Sequence, residues 1–306
     1  MTALDRAARR RQAQATRGGN MPIRNPIEWS VDQLRFAAQA VETAGQDVHP
    51  ALQDGATPHV MRIGLADLRE ALARGAQDFG ANRSDVILLC IIYPLIGLVL
   101  ARLASGTEAV PLLFPLAAGF ALVGPFAGVG MYEISRRREL GLDARWADAL
   151  GLVRTHAFGP ILLLGLILVA LFVLWMMAAQ AIYMLTLGPE APASFGAFIR
   201  DVFLTRGGWA LIVVGVGVGF LFAALTLAIG VVSFPLLVER NVGVETAVWT
   251  SVRAVAANPG PMAVWGMIVA AGLVIGTVPL FLGLIIILPI LGHATWHLYR
   301  RAVVFV

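Results

Sequence analysis

Long apolar runs separated by polar connectors set the pattern of this chain: Val86 to Leu103, Val110 to Met131, Ile161 to Leu185, Trp209 to Val232, and a last run from Met262 to Trp296. A helix needs roughly 20 apolar residues to cross about 30 Å of hydrocarbon, so each of the first four runs predicts one span. The last run is too long for one span and carries Gly276, Pro279 and Gly283 near its middle, residues that interrupt helices. Dividing it there gives six spans, at about 86–104, 110–132, 160–185, 209–233, 262–276 and 278–299. The expected fold class is all-α, a polytopic transmembrane helical bundle.

The connectors have their own period. Leu65, Leu68, Leu72, Ala76 and Phe79 fall on one helical stripe, as do Leu142, Trp146, Ala149, Leu150 and Val153, and again Val244, Val248, Val252 and Val255. The segment from Arg138 to Pro160 can be laid over that from Arg240 to Pro261, so that Gly141 meets Gly243 and Gly159-Pro160 meets Gly260-Pro261; a fainter copy starts at Arg62 with Gly64 in the equivalent place. The expectation is three pseudo-repeats, each an amphipathic interfacial helix followed by two spans. Those helices either lie flat on the membrane or pack as connectors against the bundle. Residues 1–60 have no sustained apolar period and read as a disordered, basic cytoplasmic tail with room for one short helix at Ser30 to Val41; residues 61–306 form the membrane domain. The tail is not expected to be a cleavable signal, because no apolar core follows its arginines before Val86.

Composition agrees with the bilayer as solvent: 58% of residues are hydrophobic and 14% charged, with a mean hydropathy of +0.78. All 23 basic residues are arginine, as in a GC-rich bacterial genome. With the N-terminus inside, 20 of them fall on cytoplasmic segments and only Arg102, Arg200 and Arg206 on the other side, which predicts the bacterial cytoplasmic membrane with both termini cytoplasmic. This placement accounts for the basic pI near 10 without nucleic acid, for which no recognition motif is present. Cys90 stands alone in an apolar run and supplies neither a disulfide nor a metal motif.

Glycines one turn apart, Gly124 with Gly128, Gly215 with Gly219 and Gly272 with Gly276, allow close helix packing, within the chain or across a homodimer seam. Pro94, Pro115, Pro125, Pro235 and Pro289 should kink helices or sit near their ends. The most chemical feature is His293 with His297, an i, i+4 pair on one helix face. Such a pair can ligate a divalent metal or offer an axial ligand to haem, and Glu133 and Glu239, ending the second and fourth spans, could add oxygen ligands. Simpler accounts exist: His293, Trp296 and His297 fit an interfacial belt, and Arg136, Arg137 and Arg240 beside the glutamates fit ion pairing. No cofactor is therefore expected. No ionisable residue occupies the middle third of a span, which argues against a charge-relaying pump, and Walker, dinucleotide, GxSxG and HExxH motifs are absent. A non-enzymatic scaffold or accessory subunit, with a membrane-protein partner besides lipid, comes first. A carrier or channel for a small apolar or lipid-like substrate and a haem- or metal-binding respiratory accessory protein are the alternatives.

GVGMYEISRRRELG at 128–141, PLLVERNVG at 235–243 and LPILGHATWHLYRR at 288–301 together resemble a bacterial integral membrane protein family filed as domain of unknown function 2189. The resemblance extends over about residues 60–306 and implies an integral membrane protein, with no catalytic residues to transfer. Some relatives are labelled as cytochrome c oxidase subunits. That label is not carried over, because an oxidase core needs histidine ligands on several spans and only the terminal pair is available here.

Overall fold

The computed structural model describes residues 57–81, 107–142, 155–277 and 282–306, together with residues 102, 151 and 152. The tail to residue 56, nearly all of the expected first span, most of the second amphipathic stretch and residues 278–281 lie outside the described residues. The described elements are β1 (Pro58–Val60), α1 (Leu65–Ala81), a 3-10 turn (Thr107–Leu112), α2 (Leu113–Ala127), α3 (Val129–Glu139), α4 (Phe158–Thr186), α5 (Phe195–Leu204), α6 (Arg206–Gly230), α7 (Ser233–Glu239), α8 (Val244–Ala257), α9 (Pro259–Thr277), α10 (Leu284–Ala302) and β2 (Val303–Phe305).

Among the described residues, four helical stretches are long and apolar enough to cross a membrane: Val110–Glu139, Phe158–Thr186, Arg206–Glu239 and Pro259–Thr277. Their apolar side chains are largely exposed, as Val213, Val216, Phe220 and Leu221 are on α6. Lipid removes the drive to hide them, since the surrounding tails are as apolar as the side chains. Two of the stretches run longer than the sequence pattern suggested and are broken before their polar ends. Gly128 separates α2 from α3, just after Pro125, and Val231 and Val232 separate α6 from α7, just before Pro235. The two breaks meet: Pro125 packs against Gly230, and the rings of Phe126 and Phe234 lie 6.2 Å apart.

Beyond the breaks the molecule changes character. α3, α7, the second half of α10 and the inner faces of α1 and α8 bury one another in a single core that includes Leu68, Tyr132, Phe234, Trp265, Trp296 and Tyr299. The amphipathic connectors α1 and α8 therefore pack on protein along one face. On α1 the buried stripe is Leu68, Ala71, Gly75 and Asp78, rotated from the expected one, and Leu65 and Ala76 are exposed. On α8 the small residues Ala247, Ser251 and Ala254 face inward, and the valines flank them half-buried. Small residues win the inner position because the helices approach closely. A Cβ on Gly75 would lie 2.6 Å from the backbone nitrogen of Ala294 and 2.7 Å from the carbonyl oxygen of Ile290.

Of residues 57–60, counted with the tail from the sequence, Val60 packs against this core. β1 pairs antiparallel with β2 in the register Pro58 to Phe305, His59 to Val304 and Val60 to Val303. The pairing was illegible locally because the partner is more than 240 positions away. The aligned glycines of the supposed repeats also differ. Gly141 has φ +68° and closes α3, with Leu142 N–H donating to the Arg137 carbonyl and Gly141 N–H to that of Arg138. Gly243 is extended, with φ −68° and ψ 155°, and opens α8. The Gly-Pro pairs do correspond, each falling in the first turn of a long apolar helix, α4 or α9.

Candidate functional site

Among the described residues, most of the paired polar side chains gather at the end of the bundle where α3, α7 and α10 finish. Asp78 reaches this place because the stripe of α1 that crosses α10 carries a carboxylate at its last buried turn. Such a group needs partners, since an isolated buried charge is costly. It finds them on two helices. Ser135 Oγ donates to Asp78 Oδ2 at 2.6 Å, His297 Nε2 donates to the same oxygen at 2.8 Å, and the Arg138 guanidinium lies 3.2 Å from Oδ1. Burial pushes the Asp78 carboxyl up, and the hydrogen bonds from His297 and Ser135 outweigh it, so the group is held below its ordinary value of 3.8.

The same serine connects the second histidine. Ser135 Oγ and His293 Nδ1 are 2.8 Å apart. A hydroxyl has one proton, which goes to Asp78, so His293 must donate from Nδ1 to the serine oxygen. The chain of hydrogen bonds then runs from His293 through Ser135 to Asp78, met from the other side by His297. His293 is fully buried, and its Nε2 has no partner among the described residues.

A second network lies one turn further along α10. Trp296 Nε1 donates to Glu139 Oε2 at 3.0 Å, and Arg300 donates from Nε to Glu139 Oε1 at 3.1 Å and from Nη1 to Glu239 Oε1 at 2.8 Å. Tyr299 OH donates to the other oxygen of Glu239. Arg301 then pairs with Asp67 at 2.9 Å and with Glu70, tying α10 back to the start of α1. On the far side of α1, the buried Asn258 replaces a strand neighbour: its Oδ1 accepts from Ile63 N–H at 2.8 Å and its Nδ2 donates to the Met61 carbonyl at 3.0 Å.

The residues singled out from the sequence are thus divided. His293 and His297 share one network, through Asp78 and Ser135. Glu133 pairs with Arg136 at 3.4 Å and Arg137 at 3.1 Å, as its neighbours suggested. Glu239 is bound by Arg300 and Tyr299, and the guanidinium of Arg240 lies 4.4 Å from the centre of the Phe305 ring. Among the described residues no three His, Cys, Asp or Glu side chains are placed to share a metal ion. The interfacial-belt expectation for His293 and Trp296 is corrected: both are buried in protein, because α1 and α3 fold over this half of α10. Asp78, Ser135, Glu139 and Asn258 were not singled out. Only Asp78 carried a local signal, a carboxylate in step with Leu68, Ala71 and Gly75.

Serine, histidine and aspartate in contact invite comparison with a nucleophilic triad, and the order of contacts rejects it. In a triad the imidazole stands between hydroxyl and carboxylate and takes the serine proton. Here the serine stands between, its proton is committed to Asp78, and its side chain is buried.

The glycine pairs have separate fates. Gly272 and Gly276 face Leu284, Ile287 and Leu291 of α10, and Gly219 faces the Trp175 ring. A Cβ on Gly124 or Gly215 would meet nothing within 4 Å, and one on Gly128 would meet the Tyr132 side chain. Gly215 and Gly219 instead floor an open apolar groove of about 220 Å³ between α2, α4 and α6, walled by Phe114, Trp175 and Phe220. The Trp175 indole is held there by donation to the Pro115 carbonyl at 2.9 Å.

Lipid-facing helices joined to a polar core at one end define a polytopic helical integral membrane protein. In agreement, residues 112–239, from the start of α2 to the end of α7, match the model of the family described as predicted integral membrane protein (DUF2189). No curated protein and no solved structure is significantly similar to the chain.

Proposed function

We propose that this chain is a non-enzymatic scaffold or accessory subunit of the bacterial cytoplasmic membrane, crossing it six times in three related units with both termini cytoplasmic. The observation that carries the role is the use of its polar groups: Asp78, Ser135, Glu139, Glu239, Tyr299 and Arg300 are engaged with one another, joining α1, α3, α7 and α10. Groups so engaged hold helices together and are committed to one another, not free to act as nucleophile or base. The six-span reading is supported by the grouping of Glu139, Glu239 and Arg300 at one end, as alternating crossings require. Purification from native membranes tests the role. A stoichiometric membrane-protein partner, with a flat visible spectrum and no bound metal, is the expected result. A haem band or a metal that is lost in His293→Ala would replace this reading with the respiratory-accessory one.

A second reading, a carrier for a small apolar or lipid-like molecule, draws on the groove floored by Gly215 and Gly219. It expects Gly215→Leu, which fills the groove, to abolish binding of a fluorescent fatty acid while leaving the partner complex intact.

A further inference from the structure

At the end of the bundle opposite the Arg300 network, α5 carries apolar residues on two adjacent faces. One faces protein: Val202 is buried, and Phe198 packs on Tyr183 with ring centres 6.3 Å apart. The other, Phe195, Ile199 and Phe203 at helical spacing, is exposed along its whole length. The helix is fixed in this attitude. Ser194 caps it by accepting from Ala197 N–H at 3.1 Å, and Thr205, which ends it, caps α6 by accepting from Gly208 N–H at 2.9 Å. The exposed stripe cannot turn inward without unseating Phe198 and Val202.

We propose that α5 is an in-plane interfacial helix, with Phe195, Ile199 and Phe203 seated among the acyl chains just below the headgroups and Arg200 and Arg206 on lipid phosphates. Two observations identify lipid as the occupant. The stripe runs on to Trp209 of α6, 56% exposed, whose indole N–H donates to the Phe203 carbonyl at 3.1 Å, and Leu185 at the end of α4 is 86% exposed; the bilayer already covers those span ends. Beside the stripe stand Arg200 and Arg206, both exposed and without an ion pair among the described residues. A short amphipathic helix with large apolar side chains on one face and arginine at its border suits the headgroup boundary, and arginine presents a fork matched to a phosphodiester. The proposal also explains why two arginines persist on the side that carries few of them: they act as headgroup contacts. It rests on immersion in the bilayer and is independent of the scaffold role.

Single cysteines at Ile199, Phe203 and Arg200, introduced with Cys90→Ser and labelled with a nitroxide in lipid nanodiscs, test it. All three positions are exposed, so folding is checked by elution volume alone. Labels at 199 and 203 should report a lipid-dissolved relaxant such as oxygen several-fold more strongly than a water-soluble nickel chelate, and the label at 200 the reverse. In the Arg200→Gln, Arg206→Gln background, the 203 label should lose part of its protection from the chelate. Equal access of the chelate to all three labels would overturn the proposal. So would protection at 199 and 203 accompanied by spin–spin broadening that dilution with unlabelled protein removes, which would assign the stripe to a second copy of the chain.

Discussion

Replacing Gly75 by alanine isolates the contact on which the polar core depends. The added Cβ would stand 2.6 Å from Ala294 N and 2.7 Å from both Ala294 Cβ and the Ile290 carbonyl oxygen. Non-bonded heavy atoms settle at about 3.5–4.0 Å, so the shortfall is near 1 Å on three atoms at once. Two of these are backbone inside α10 and cannot rotate away. α1 must therefore lift, which stretches the 2.6 Å and 2.8 Å hydrogen bonds of Asp78 toward breaking. Overpacking costs about 1–3 kcal/mol, and weakening a buried polar network adds about 1–3 kcal/mol. The helix propensity of alanine offsets at most about 1 kcal/mol. The expected net loss is about 2–4 kcal/mol by these terms. Gly80→Ala is the control: the same exchange on the same helix, where a Cβ meets nothing within 4 Å, should be neutral or stabilising by a few tenths of a kcal/mol. Unfolding by sodium dodecyl sulfate in mixed micelles, followed by tryptophan fluorescence with the buried Trp296 as reporter, reads both. Ala294→Gly should restore Gly75→Ala only in part, because it removes one of the three clashing atoms. Were Gly75→Ala to unfold at the wild-type midpoint or above it, α1 would not cross α10 here and the core as described would be refuted.

The Asp78 carboxyl is held below its ordinary value, so as pH falls the unfolded chain takes up the proton first. Its contribution is full above about pH 4 and is lost as pH falls through the folded value; Asp78→Asn should lower stability at pH 7 and flatten this acid-side loss in the same micelle titration. Asn258→Ala strands the Ile63 N–H and the Met61 carbonyl and should cost about 1–3 kcal/mol, with faster amide exchange at Ile63 as the local signature. Arg300→Lys keeps the charge and loses the fork that spans Glu139 and Glu239. With Arg300 partly exposed, a loss of about 1 kcal/mol is expected, and complete indifference in a double cycle with Glu239→Gln would show that the bridge is not made in the membrane. Gly276→Val, which meets Leu284, should destabilise more than Gly124→Ala, which meets nothing.

Hydropathy and helical spacing located the lipid-facing helices α2, α4, α6 and α9, because lipid selects residues one at a time by transfer free energy. It misplaced their polar ends. α3 and α7 continue beyond their apolar runs as helices, since Met131 to Ser135 and Ser233 to Val238 are covered by protein. What covers a residue is a long-range property. His293 and Trp296 read as interfacial because Arg300 and Arg301 follow, yet those arginines are anchored on Glu139, Glu239, Asp67 and Glu70, residues 61 to 234 positions away. The valine stripe of α8 lies at the edge of the buried face, with Val244, Val248 and Val255 packed half-buried against the core, for a related reason: close approach rewards small side chains at its centre, and a hydrophobic period weights large ones.

The two halves of α10 show why the clamp sits where it does. Its first half, Leu284 to Leu288, presents apolar side chains half-buried or exposed, and van der Waals contact with Gly272 and Gly276 of α9 holds it. Such contact in lipid is weakly directional, and a helix held only that way could slide or turn against its neighbour. The second half supplies what is missing. Hydrogen bonds and ion pairs to α1, α3 and α7 specify rotation through His293 and His297 and depth through Arg300 and Arg301. Water and headgroups at the end of a bundle would compete for those groups; burial under α1 removes the competition at Asp78, Ser135 and His293, while Arg300 and Arg301 stay partly exposed. The position of the amphipathic helix over the C-terminal helix is therefore what gives the polar contacts their strength, and those contacts in turn fix the register of the helix that lipid alone leaves free.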